Sequence, residues 1–243
     1  MSRQGLTPTR LLICDLDGTL VDSAPDLTAA VGDLLAAAGR APLSEAAVRH
    51  MVGDGVAKLV ERALAASGGV PDAGAMAGFV ARYLAFYESR MTELTRPYPG
   101  AVQTLRDLKA AGWRLAVCTN KPERPSHRIL AALGFDGLFE AVAGGDSFPV
   151  KKPDPGHVHG VLDALGAAPA EAVMLGDSLN DVLAARGAGV PVIAMASGYG
   201  PVPAHELGAD ALVDTFAELP AALAAIVGAH RRPVGRVAPG PLA

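Results

Sequence analysis

The stretch Leu11 to Asp22, Leu-Leu-Ile-Cys-Asp-Leu-Asp-Gly-Thr-Leu-Val-Asp, constrains this chain more than any other. Four apolar residues lead straight into Asp15, one residue separates it from Asp17, and Gly18-Thr19 follow. A short unbroken apolar run with a polar end is the pattern of a strand buried on both faces of a parallel sheet. Ligands of open α/β sheets sit beyond the carboxyl ends of the strands, where Asp15 and Asp17 leave. Two carboxylates at one strand tip repel each other unless a cation lies between them or one is protonated. Asp17-Gly18-Thr19 alone would equally suit a solvated, helix-capping loop; the apolar run in front of it points to a site.

From Asp22 the pattern turns helical. Asp26 to Ala38 carries Leu27, Ala30, Val31, Leu34 and Leu35 on one face, with Gly39 as a stop. Ser44 is a predicted N-cap with Glu45 in the first turn. Val52-Gly53-Asp54-Gly55 precedes a helix over Val56 to Ala66, and another is expected over Ala73 to Met91. Residues 22–95 thus read as purely helical, while strand and helix alternate on either side. That shift marks an inserted helical unit, with a core formed by residues 1–21 and 96–229.

Arg96-Pro97-Tyr98-Pro99-Gly100 holds too much proline for a regular element and reads as the return linker. Predicted strands follow at Arg114–Cys118, Ala141–Ala143, Ala172–Leu175, Pro191–Met195 and Ala211–Val213. Helices are expected over Ala101–Ala111, Pro125–Leu133, Gly156–Leu165 and Phe216–Ala229. Met1 to Arg10 reads as a loose leader and residues 230–243 as a disordered tail.

Composition narrows the function. Half of the 243 residues are hydrophobic, ample for a packed core, and the net charge is −4. The charge argues against a nucleic-acid partner held by bulk electrostatics, but not against a small phosphorylated substrate held by local cations or a metal. Nothing resembles a signal peptide or a membrane span, so a cytoplasmic protein with no membrane partner is expected. Cys14 and Cys118 end apolar runs and are expected to be buried, reduced thiols.

Further polar groups leave the strand ends: Thr119 and Asn120, Lys152 on a Pro-rich loop, and Asp177 with Asp181. Converging at one edge of a parallel sheet, they would make a site for a cation and an anion together.

In type, order and spacing these stretches resemble the motifs of the haloacid dehalogenase-like superfamily of phosphohydrolases. Asp15-Leu16-Asp17-Gly18-Thr19-Leu20-Val21-Asp22-Ser23 is similar to its first motif and Thr119 to its second. Lys152-Pro153-Asp154-Pro155 is similar to the third, and Gly176-Asp177-Ser178-Leu179-Asn180-Asp181 to the fourth. The resemblance implies a Rossmann-like, doubly wound α/β core with an inserted helical cap. It implies Asp15 as the nucleophile that forms an aspartyl-phosphate, and Asp17 as the acid and base serving the leaving oxygen and the attacking water. Thr119 and Asn120 would donate to the phosphoryl group, and Lys152 would hold Asp15 and the phosphoryl oxygens. Magnesium would be bound by Asp15, the backbone carbonyl of Asp17, and Asp177, with Ser178 and Asp181 supporting them from behind. An oxygen-only donor set suits such a hard cation.

Retention of Asp17 favours phosphoester chemistry over dehalogenation. Within the superfamily the chain is most similar to bacterial phosphoglycolate phosphatases, through Val52-Gly53-Asp54-Gly55, Leu59 to Leu64, Arg96 to Gly100, and Gly144-Gly145-Asp146 before the Lys-Lys-Pro loop. Gly18, Gly53, Asp54, Gly55 and Lys58 join Asn120 as expected substrate contacts, Lys58 lying one turn into the helix. Asp54 stands where that family commonly has a histidine or a neutral polar residue. The expected reaction is hydrolysis of a small phosphomonoester, 2-phosphoglycolate first, by a monomer or homodimer. Sugar-phosphate or amino-sugar-phosphate hydrolysis and a sugar phosphomutase are the alternatives, and a non-catalytic binding module on the same scaffold is the rival outside enzymology.

Overall fold

In the computed structural model, which describes residues 10–230, the first strand is β1 (Arg10–Cys14), as its apolar run requires. Leu11 to Cys14 are fully buried, and each such aliphatic side chain removed from water is worth about 1.5–3 kcal/mol. β1 lies inside a parallel sheet with β4 (Trp113–Cys118), β5 (Ala141–Ala143), β6 (Ala172–Gly176), β7 (Val192–Met195) and β8 (Ala211–Val213), in the order β5-β4-β1-β6-β7-β8. The chain moves outward from β1 in one direction, then returns to β6 and moves outward in the other. The order therefore reverses between β1 and β6, which is where a doubly wound sheet opens its ligand crevice.

Side-chain alternation divides the core. Leu12, Leu115, Leu175 and Ile193 face α5 (Ala101–Ala110), α6 (Glu123–Ala132) and α9 (Leu219–His230). Leu11, Ile13, Met174 and Val192 face α7 (Pro155–Leu165) and α8 (Leu179–Gly187). Cys14 and Cys118 are buried free thiols, as expected. They lie on opposite faces because Cys14 is in register with Val117, one residue short of Cys118.

Between β2 (Val21–Asp22) and β3 (Arg96–Pro97) lie α1 (Ala24–Ala37), α2 (Glu45–Arg49), α3 (Val56–Ala66) and α4 (Ala73–Glu88). α1 packs on α2 and α4, and α3 on α4. Their apolar faces continue the sheet's larger core through Leu34, Leu64, Tyr83 and Met91. The proline-rich return is not irregular throughout, contrary to the sequence expectation. Val21 pairs with Pro97 and Asp22 with Arg96, antiparallel, and Tyr98 N donates to Leu20 O at 3.0 Å. Two residues at an edge tolerate a proline because the ladder need not use its missing N–H.

α4 stops at Glu88, short of Met91. Ser89 Oγ donates back to Phe86 O, and the buried Asp26 carboxylate collects Leu94 N, Thr95 N and Thr95 Oγ1 at 2.6–3.1 Å. Asp26 thus ties the end of the helical unit to the start of α1. α9 begins at Leu219 rather than Phe216, with Pro220 in the first turn, where the helix needs no N–H from it. The expected leader over residues 1–9 and the tail after His230 lie outside the described residues.

Candidate active site

Asp15 leaves β1 at the crevice, its N–H held by Leu175 O at 2.9 Å on the neighbouring strand. Its carboxylate is 8% exposed and stands 3.0 Å from Lys152 Nζ. Burial, helped by the nearby Asp181 carboxylate and opposed by Lys152, pushes Asp15 up to about 6. Asp17, two residues on, turns the other way. Ser23 Oγ donates to Asp17 Oδ1 at 2.6 Å, and Lys121 Nζ reaches both of its oxygens at 3.0 and 3.1 Å. The two carboxylates of the strand tip therefore meet different cations and do not share one.

Across the crevice, Asp177 leaves β6. Thr19 Oγ1 donates to its Oδ1 at 2.8 Å and Tyr199 N to its Oδ2 at 3.0 Å. Burial, with Asp181 and Asp15 beside it, raises Asp177 well above the carboxylate range. Gly18 is required here: its φ is +87°, and a Cβ would stand 2.5 Å from Asp177 Oδ2. Ser178 caps α8, and Asp181 sits one turn in, fully buried. Asp181 Oδ2 accepts from Asp177 N, Ser178 N and Ser178 Oγ at 2.7–3.1 Å, while Oδ1 binds Lys152 Nζ at 2.5 Å. Asp181 is thereby spent on holding its neighbours.

Lys152 bridges Asp15 and Asp181, and despite its burial these two carboxylates raise its pKa. Its backbone is fixed as well. Lys152 N donates to His157 Nδ1 at 3.2 Å, so the His157 proton sits on Nε2, which reaches Gly144 O at 3.1 Å. Burial, with the Lys152 charge beside it, pushes His157 down to about 4.

The exit of β4 completes the floor. Thr119 is 2% exposed, and its Oγ1 accepts from Lys121 N at 3.3 Å, which leaves the hydroxyl hydrogen to donate elsewhere. Asn120 Nδ2 donates to Lys152 O and to Gly53 O, both at 2.8 Å. Asn180 Nδ2 reaches Asp54 Oδ1 at 2.7 Å, and Lys151 Nζ reaches Asp54 O at 2.6 Å. The turn over residues 52–55 is therefore clasped from three core loops. Lys151 spends its ammonium on this clasp. A Cβ on Gly55, whose φ is +88°, would stand 2.7 Å from that ammonium.

Asp15, Asp17, Thr119, Asn120, Gly53 and Gly55 line one cavity. Three expected substrate contacts do not join them: Gly18, which backs onto Asp177, Lys58 and Asp54. Lys58 lies on the outer face of α3 and pairs with Glu61 at 2.7 Å, because the inner face of that helix is occupied by Leu59 and its apolar neighbours. The Asp54 side chain points to Arg62 and Asn180. Its partial burial would raise the carboxyl, but these partners hold it below the usual carboxylate range. Its charge is thus neutralised away from the cavity. Sequence reasoning assigned no role to Lys121, although it directly follows Thr119-Asn120, and it missed Tyr199, a lone aromatic in a glycine-flanked loop. The Tyr199 hydroxyl donates to Asp22 Oδ1 at 2.7 Å and accepts from Ser23 N at 2.7 Å, bracing the residue that holds Asp17.

One carboxylate oxygen from each of Asp15, Asp177 and Asp181 lies within 4.8 Å of the others. Asp15 Oδ1 is buried, with the Lys152 ammonium 3.0 Å away. An oxygen-only cluster of buried carboxyls fits a hard divalent cation such as magnesium.

A sequence profile of the haloacid dehalogenase-like hydrolases matches residues 9–189. Phosphoglycolate phosphatase of Caulobacter vibrioides is 45% identical over 86% of this chain and 88% of its own length. That of Rhodospirillum rubrum is 46% identical over 86% and 89%. The crystal structure of a predicted phosphoglycolate phosphatase from Haemophilus somnus superposes with a TM-score of 0.84 at 33% identity, covering 90% of this chain and 99% of that one.

Proposed function

This chain belongs to the haloacid dehalogenase-like hydrolases and is a phosphoric monoester hydrolase; on that premise we propose that it is a magnesium-dependent phosphatase of 2-phosphoglycolate working through an aspartyl-phosphate. The observation that carries the reading is the separation of the two strand-tip carboxylates: Asp15 is paired with Lys152, and Asp17 with Lys121 and Ser23. One is kept as a nucleophile at the crevice, and the other is kept apart as a proton carrier.

Asp15 attacks phosphorus and takes the phosphoryl group, while Asp17 gives a proton to the leaving oxygen. Asp17 then takes a proton from the water that attacks the aspartyl-phosphate, and Asp15 is released. Thr119 donates its hydroxyl to the transferring group, and Lys152 supplies a fixed positive charge beside it. Asp15, the backbone carbonyl of Asp17, and Asp177 would hold magnesium, whose chemistry when bound is neutralisation of the phosphoryl charge. Residues 22–95 form a cap over the parallel-sheet core. Clasped at residues 52–55, the cap excludes water from the chemistry, and release of the clasp admits substrate.

The test is phosphate release with magnesium from 2-phosphoglycolate, several sugar phosphates and an amino-sugar phosphate. A preference for phosphoglycolate of about a hundredfold in kcat/KM, roughly 2.7 kcal/mol of transition-state discrimination, is the expected result. A flat profile would leave the phosphatase standing as a broad or sugar-phosphate enzyme, and an isomerised phosphosugar without phosphate release would make the protein a mutase.

A further inference from the structure

The cavity above Asp15 and Asp17 has a roof of different chemistry. Leu59 and Leu84 supply apolar surface, and two tyrosines of α4 lie among it. Tyr83 and Tyr87 stack with ring centroids 6.0 Å apart and planes within 6°. They are 0% and 2% exposed, yet both hydroxyls are buried without a hydrogen-bond partner in the protein. A buried hydroxyl left unpaired costs about 1–3 kcal/mol. Two of them on adjacent turns, on side chains that line the active-site cavity, are donors that no protein group uses. Burial raises both tyrosines well above their ordinary value, so both remain neutral donors.

Among the described residues lining the cavity, Lys121 is the one cation. Its ammonium stands 4.5 Å from the centre of the Tyr87 ring while it pairs with Asp17. The roof thus presents two O–H donors and a nearby ammonium, a set that suits an anionic acceptor. The cavity encloses about 40 Å³, room for roughly three water-sized groups at 10–15 Å³ each. A short acid suits so small a space.

We propose that Tyr83, Tyr87 and Lys121 form the leaving-group subsite and select a carboxylate carried on the carbon next to the phosphate ester. The inference rests on the phosphoglycolate reading above and assigns its selectivity to these three side chains.

The experiment compares kcat/KM for 2-phosphoglycolate and for ethyl phosphate, which keeps the chain length and lacks the carboxylate. Both are measured with magnesium on the wild type, Tyr83→Phe, Tyr87→Phe and Lys121→Met. A generally weakened active site lowers both values together, whereas a lost subsite lowers their ratio. The expected result is a wild-type ratio of a hundredfold or more, reduced about tenfold by each Phe variant and further by Lys121→Met. A ratio unchanged in both Phe variants overturns the inference while the phosphoglycolate reading stands. A wild type that releases no phosphate from phosphoglycolate overturns that reading and the inference with it, and this is seen before any substitution is made. A variant that fails to fold is recognised by its melting curve, and the ratio in the other Phe variant then decides.

Discussion

At the sheet edge almost every charged atom has a fixed partner. Lys152 is held by two carboxylates and Asp181 by four donors, and Asp177 is held by Thr19 and Tyr199. The roof from α4 is the reverse: aromatic and aliphatic, with hydroxyls that have no partner. Asp15 and Asp17 of the floor share a cavity with the roof, and the two regions divide the work. Phosphoryl transfer needs charge held where it will be used, so the floor is built as an interlocked network. Choosing a leaving group needs donors that stay open until substrate arrives, so the roof keeps them unpaired at some cost in stability.

That contrast can be broken or sharpened by substitution. Asp15→Asn, which removes the nucleophile and preserves shape, is expected to lower kcat by roughly 10⁴-fold or more. Its circular-dichroism spectrum should match the wild type, and wild-type-like turnover would remove the nucleophile from the account. Chelation should act on the floor alone: EDTA is expected to silence phosphate release and added magnesium to restore it. Full activity in chelator would detach the acidic cluster from a metal.

Stability should separate the regions as well. Lys152→Met leaves Asp15 and Asp181 buried without their common cation and is expected to cost about 3–5 kcal/mol in urea unfolding. Tyr83→Phe removes only an unpartnered buried hydroxyl and should leave stability unchanged or raise it by up to about 1–3 kcal/mol. Equal losses would erase the distinction.

The acid profile reports on the positioning of the floor. His157 is held near 4 in the fold, against an ordinary value of 6.5. A lowered folded value means that its contribution is present above pH 6.5 and is lost as the pH falls towards 4. Burial-raised Asp15 and Asp177 change stability in the opposite sense over the same window, so the contribution is read as a difference: the wild type should lose melting temperature relative to His157→Gln as the pH falls from 6.5 towards 4. The smallest effect is expected from Lys58→Ala, which breaks an exposed pair with Glu61 and should leave kcat/KM within about twofold.

The floor was legible in the sequence because its residues sit at strand ends, and strands betray themselves as apolar runs. Leu11 to Cys14 and Ala172 to Leu175 announce where Asp15 and Asp177 must emerge, and the strand order then brings them together. The roof was far less legible. Tyr83 and Tyr87 read as ordinary members of an apolar helical stripe, since periodicity shows which face is buried but not whether a hydroxyl on it finds a partner. Lys58 misled for a related reason: one turn into a helix, a lysine can face the site or the solvent, and the packing of Leu59 decides. The pairing of β2 with β3 hid behind the prolines of Arg96 to Gly100, because a two-residue edge contact leaves no periodic trace.

The claim that joins floor and roof is that phosphate passes through Asp15 before it reaches water. The most direct measurement is the stereochemical course at phosphorus, using a substrate made chiral there with oxygen isotopes. Each in-line displacement inverts the centre, so transfer to Asp15 followed by transfer to water predicts net retention. Net inversion would mean that water attacks the substrate directly, and would contradict the account.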